Sequence, residues 1–271
     1  MIDYSEPGPL TGLDDVPPDA FSGLRVDDVV GICLPVHALV VQPGDAEALG
    51  LPHERFAENQ IRPARQLFTV LLGMDPSPLV DPRPPQQRVV GTCRHFALLA
   101  CALLRSRGIA ARVRCGFATY FQPGQALDHW IVEHRADDGR WVRLDPEILG
   151  GTVLDHPDDL RPGQFLDGAQ AWQAYRRGEV DAATFGVFGT ENFGPAEIRG
   201  NLVKDLAAVN KVEMLPWDEW GRMTEAYAGE TGPDYDDLLD DVAAVLLADD
   251  TSAAAALYRG RPELAVPADL L

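Results

Sequence analysis

Apolar residues recur at helical spacing from Cys93 onward: Phe96, Leu99, Ala100, Leu103 and Leu104 lie three and four positions apart and define one buried face. The spacing predicts a helix that begins at Cys93 and stops at Gly108, with Arg105 and Arg107 at the negative end of its dipole. Alternation then replaces helical spacing. Ala111 to Phe117, Asp128 to His134 and Arg140 to Asp145 read as strands, the last two joined through Asp137-Asp138-Gly139 as a hairpin. The predicted centre of the chain is therefore a helix followed by an antiparallel meander, an α+β arrangement.

Away from this centre the pattern is coarser. The first 25 residues are rich in Asp, Pro and Gly and read as irregular. Val29 to Val41 is mostly apolar, but Pro35 and His37 interrupt it and it is too short to span a bilayer. Glu54 to Leu72 reads as one amphipathic helix that offers Phe56, Ile61, Leu67 and Val70 to the core. Prolines 76, 78, 82, 84 and 85 then impose an extended approach to Cys93. Beyond Pro146, helical spacing returns in Phe165 to Arg177, with Trp172 and Tyr175 assigned to the core, and in Ile198 to Asn210. Asp234 to Asp250 holds seven Asp and no basic residue, yet Leu238, Leu239, Val242, Val245 and Leu246 form an apolar stripe. An acidic-faced surface helix is expected there. Three regions follow: 1–84, helical and irregular, packing on the core; 85–222, the core with a helical extension; and 223–271, an acidic helical tail. No internal repeat is present.

Composition narrows the function classes. A chain of 271 residues, 46% hydrophobic, can bury a full core. Its formal charge of −19 argues against nucleic acid or an anionic membrane as a partner. The segment from Arg88 to Asp145 departs from this balance, with nine Arg against five acids. Met1 to Glu6 carries early acids and no basic start before an apolar run, so a cytoplasmic protein is expected. The four cysteines include no CxxC pair and the six histidines have no metal-ligand spacing, so neither a disulfide framework nor a metal or other cofactor is expected. Cys33, Cys101 and Cys115 fit apolar faces and read as core residues.

Cys93 differs from those three. At a helix start its thiolate is favoured by the dipole, and its own N–H faces a developing oxyanion. His129 on the second strand suits a general base, and Asp145 at the end of the third suits the group that orients it. Gln87, six residues before Cys93, is a candidate second oxyanion donor. Arg94, Tyr120, Trp130 and Trp217 are candidates for a substrate groove, although packing in the core is the commoner fate of a tryptophan such as Trp217 or Trp220. His95 lies about 200° around the helix from Cys93 and does not suit the role of its base.

The hairpin supplies a test. Opposed residues of an antiparallel pair have a constant number sum and share a face. A two-residue loop at Asp138-Gly139 would set Val132 against Asp145 and send His129 to the other face. A five-residue loop, Arg135 to Gly139, sets His129 opposite Asp145, and a three-residue loop makes them diagonal neighbours. The triad therefore requires an odd loop or a bulge.

Gly91-Thr92-Cys93-Arg94-His95-Phe96, with Leu103 to Arg112, resembles the nucleophile helix of the transglutaminase-like superfamily. His129-Trp130 and Trp141 to Asp145 resemble its histidine and aspartate strands. Ile198 to Leu206 and Leu215-Pro216-Trp217-Asp218 are similar to a bacterial branch of stand-alone proteins of that type. The resemblance covers roughly residues 85–222. It implies a papain-like α+β core, with Cys93 as nucleophile, His129 as base and Asp145 as acid. The reaction it implies is acyl transfer on a peptide or amide substrate through a thioester, with hydrolysis first and transfer to an amine second. A binding module that retains the fold without catalysis is the competing class. A thiol redox sensor would require a second accessible cysteine, a role for which Cys101 is poorly placed.

Overall fold

The computed structural model describes residues 2–25 and 28–271. In chain order the elements are α1 (Val29–Cys33), β1 (Val40–Val41), α2 (Pro43–Ala48), α3 (Ala64–Met74), β2 (Val89–Val90), α4 (Cys93–Ser106), β3 (Ala111–Ala118), β4 (Ala126–Arg135) and β5 (Trp141–Leu144). There follow β6 (Phe165–Asp167), α5 (Gly168–Arg176), β7 (Phe185–Gly186), α6 (Pro195–Val209), α7 (Met223–Tyr227), α8 (Pro233–Leu247) and α9 (Thr251–Gly260). The main sheet has the order β5-β4-β3-β6, with β7 beside β4, and β1 pairs with β2 separately. The architecture is α+β. No helix among the described residues is long and apolar enough to cross a membrane.

Two compact units are present, one made of Asp3–Arg112 and Ile131–Leu160, the other mainly of Val113–Trp130 and Arg161–Leu271. In the first unit, α4 starts at Cys93 and its last turn is followed by Gly108 at φ +72°, the left-handed stop that the spacing predicted. The helix is not amphipathic, however: every residue from Cys93 to Arg105 is buried. Its charged members survive burial by holding backbone carbonyls, as when Arg105 Nε donates to Ala111 O at 2.9 Å. The single helix expected over Glu54 to Leu72 is instead a 3-10 segment, His53–Gln60, and a separate α3. Pro63 causes the break, because it lacks an N–H and favours an extended residue before it. The buried face of α3 is Ala64, Leu67, Phe68 and Leu71, whereas Phe56, Ile61 and Val70 are half-buried.

The β4–β5 hairpin pairs Val132 with Leu144 and Arg135 with Trp141. Ala136 N donates to Arg140 O at 2.9 Å, so the loop is the three residues Asp137 to Gly139, one of the odd lengths required. Buried Glu133 fixes this hairpin, accepting from Arg112 at 2.7 Å and from Arg143 at 2.9 Å.

In the second unit, Gly116 on β3 lies opposite Asp167 on β6. A Cβ there would approach Leu166 O to 2.1 Å, so glycine is required by close backbone approach. Arg114 bridges β3 to α6 through a two-pronged pair with Asp205 at 2.9 and 2.7 Å. The acidic stretch near residue 240 is helical, as expected: α8 buries Leu238, Leu239, Val242 and Leu246 and takes Trp172 Nε1 on Asp240 at 2.8 Å.

Candidate active site

Cys93 is the first residue of α4 and is buried, with 8% of the residue exposed. Its position follows from a short parallel pair: Val89 and Val90 align with Val40 and Val41, and Gly91 N donates to Val41 O at 3.0 Å. The chain then turns through Thr92 into the helix. His95 closes that turn from inside, its Nδ1 accepting from Thr92 N at 3.0 Å. Burial first, and the charge of Arg94 second, push the His95 pKa down to about 3, so its imidazole stays neutral. His95 thus caps the helix start, consistent with its exclusion as a base.

His129 is buried on β4, and its ring lies edge-on to Phe121 at 5.0 Å and to Tyr120 at 6.1 Å. Asp145 is fully buried just after β5; its N–H donates to Pro157 O at 2.8 Å and its Oδ1 accepts from Glu147 N at 3.0 Å. Gln87 ends a 3-10 turn, Pro85–Gln87, and is half-buried. Arg94 and Trp130 are fully buried, while Trp217 is 42% exposed and Trp220 donates from within the core to Leu264 O at 2.9 Å. The other thiols are buried, and desolvation pushes that of Cys33 well up, as befits an inert core cysteine.

One residue absent from the sequence reading belongs to this neighbourhood. The Cys93 thiol and a Glu147 carboxylate oxygen, both in the first unit, lie within 4.8 Å of each other. Glu147 is held from two sides, by Gln42 Nε2 on Oε1 at 2.8 Å and by His37 Nδ1 at 2.7 Å from its carbonyl oxygen. Gln42 directly follows Val41, so the β1–β2 pair that delivers Cys93 delivers the Glu147 anchor too. Cysteine sulfur and carboxylate oxygen are both zinc ligands. The pair joins the start of α4 to the segment after β5, so local spacing carried no sign of it.

Residues 78–146 match the family model of the transglutaminase-like superfamily. This segment belongs to that superfamily. The match includes Cys93, His129 and Asp145 and stops one residue short of Glu147. A crystal structure from Cytophaga hutchinsonii, of a protein provisionally described as a cysteine protease, is similar over 60% of this chain, at 18% identity and a TM-score of 0.39. The similarity covers 44% of that protein, less than half its length. No curated protein matches the chain.

Proposed function

We propose that the chain is a thiol-dependent enzyme that cleaves an amide or peptide bond through a thioester on Cys93, with water as the acyl acceptor. The observation that carries this reading is a helix-start thiol with a carboxylate beside it, within a segment of the transglutaminase-like superfamily. Cys93 attacks the carbonyl as a thiolate paired with the His129 imidazolium. The backbone N–H of Cys93 and the Gln87 amide receive the oxyanion. His129 then protonates the departing amine, the thioester remains on Cys93, and His129 takes a proton from water as it attacks to release the acid. Asp145 orients the imidazole and Tyr120 braces its ring. Water is placed before an amine because it is the acceptor present without a dedicated second site.

The test is the pH dependence of iodoacetamide alkylation, mapped on all four cysteines by mass spectrometry in wild type, His129→Ala and Asp145→Asn. Selective labelling of Cys93 well below pH 8, weakened by the His129 change, is expected. Labelling of Cys93 at the rate of an ordinary thiol would sink the proposal and favour a binding role for the fold. Release of free acid, rather than an amine adduct, from an amide substrate in the presence of alkylamine separates hydrolysis from transfer.

A further inference from the structure

A cavity of about 520 Å³ lies within the second unit, walled by the loop that follows β7, by α6 and by the segment leading into α7. Its volume falls in the range of small-molecule sites. Asp128 on its wall and His129 are consecutive on β4, so their side chains leave opposite faces of the strand. Asp128 Oδ1 accepts from Asn201 Nδ2 on α6 at 2.8 Å, whereas the His129 ring faces Tyr120 and Phe121. The cavity is thus separate from the face that carries the imidazole.

Four carboxylates reach the wall, from Asp128, Glu191, Glu197 and Glu219, against the single ammonium of Lys204. Lys204 is buried; its Nζ lies 3.3 Å from Tyr227 Oη and 5.7 Å from that ring's centroid. Burial works against the Lys204 charge, but Tyr227 and Asp128 outweigh it and hold the ammonium protonated. With all groups ionised, three negative charges remain without a cation. Burial correspondingly pushes the Asp128 and Glu197 carboxyls above their ordinary range. Phe193, Trp217 and Tyr227 add aromatic rings, whose faces attract organic cations. A single metal ion fits the lining poorly: among the described residues no three of these carboxylates bring oxygens within 4.8 Å of one another.

We propose that this cavity binds an organic ammonium ligand, with an alkyl chain bearing two ammonium groups as the best match to its surplus charge and aromatic wall. Such a ligand would sit on the face of β4 opposite the His129 side chain. Its charge would favour the ionised forms of Asp128 and Glu197. Trp217 lines the cavity and is 42% exposed, so solvent reaches this part of the wall.

Isothermal titration of the full chain with 1,6-diaminohexane, butylamine and 1-butanol tests this. The expected order is diamine, then monoamine, with no binding of the alcohol. Glu219→Gln and Trp217→Ala each alter an exposed residue, so the fold is retained, and each is expected to weaken the diamine about fivefold. No diamine binding up to about a hundredfold excess over the protein would overturn the proposal. So would alcohol binding of equal strength, or diamine binding that both variants leave unchanged.

Discussion

Gly91→Ala tests how tightly the helix start is built. A Cβ at position 91 would lie 2.8 Å from His95 Cγ and 2.9 Å from its Cβ, where ordinary contact begins at 3.4 Å. The deficit is about 0.6 Å, and it falls on the root of a fully buried side chain that cannot swing away. Overpacking of this kind costs about 1–3 kcal/mol, offset by roughly 0.4–1 kcal/mol from the stiffer unfolded chain, for a net loss of about 1–2 kcal/mol. The displacement passes to Cys93, because His95 Nδ1 holds Thr92 N at the turn between them. A misplacement of 1 Å can cost about a hundredfold in rate, so about 0.6 Å should cost on the order of tenfold. Urea denaturation reads the first quantity, and the burst of p-nitrophenol from p-nitrophenyl acetate reads the second. Pairing the change with His95→Ala, which removes the ring, should give a penalty smaller than the sum of the two. A wild-type midpoint and burst rate for Gly91→Ala, or strict additivity in the double variant, would refute the reasoning.

Three further outcomes follow from the same geometry. His95 has a folded pKa of about 3 against 6.5 unfolded, so its neutral burial favours the native state above pH 6.5 and this contribution is lost as pH falls toward 3. Denaturation midpoints measured across that window should fall less steeply in His95→Asn than in wild type; equal slopes would assign the acid sensitivity elsewhere. Arg114→Met should destabilise the chain by about 3–5 kcal/mol by leaving Asp205 buried without its cation, and Arg114→Met with Asp205→Leu should recover most of that loss. Zinc should slow alkylation of Cys93 reversibly, with the rate restored by a chelator and the effect reduced in Glu147→Gln; protection independent of Glu147 would place the metal elsewhere.

Local patterns were legible wherever one physical cause dominated. The start of α4 at Cys93, the stop at Gly108, the three meander strands and the acidic α8 all follow from periodicity and backbone chemistry that neighbouring residues carry themselves. The odd hairpin loop was required by the triad reading and not by local pattern, since two-, three- and five-residue loops all fit the sequence. Pro63 was an available signal that the apolar spacing around it obscured, and the expected helix from Glu54 to Leu72 failed for that local reason.

What lay beyond the linear pattern depended on contacts between distant residues. Val40-Val41 and Val89-Val90 are too short to show alternation, yet their pairing sets both Cys93 and Gln42. Glu147 lies past the end of β5, where no strand phase governs it, and only its hold by Gln42 and His37 brings its carboxylate toward the thiol. The burial of Arg94, the exposure of Trp217 beside a buried Trp220, and the acidic wall drawn from β4, α6 and two loops have the same origin. Periodicity reports which face of an element is apolar; it does not report which other element will meet that face, and that meeting is where charge, exposure and reach are decided.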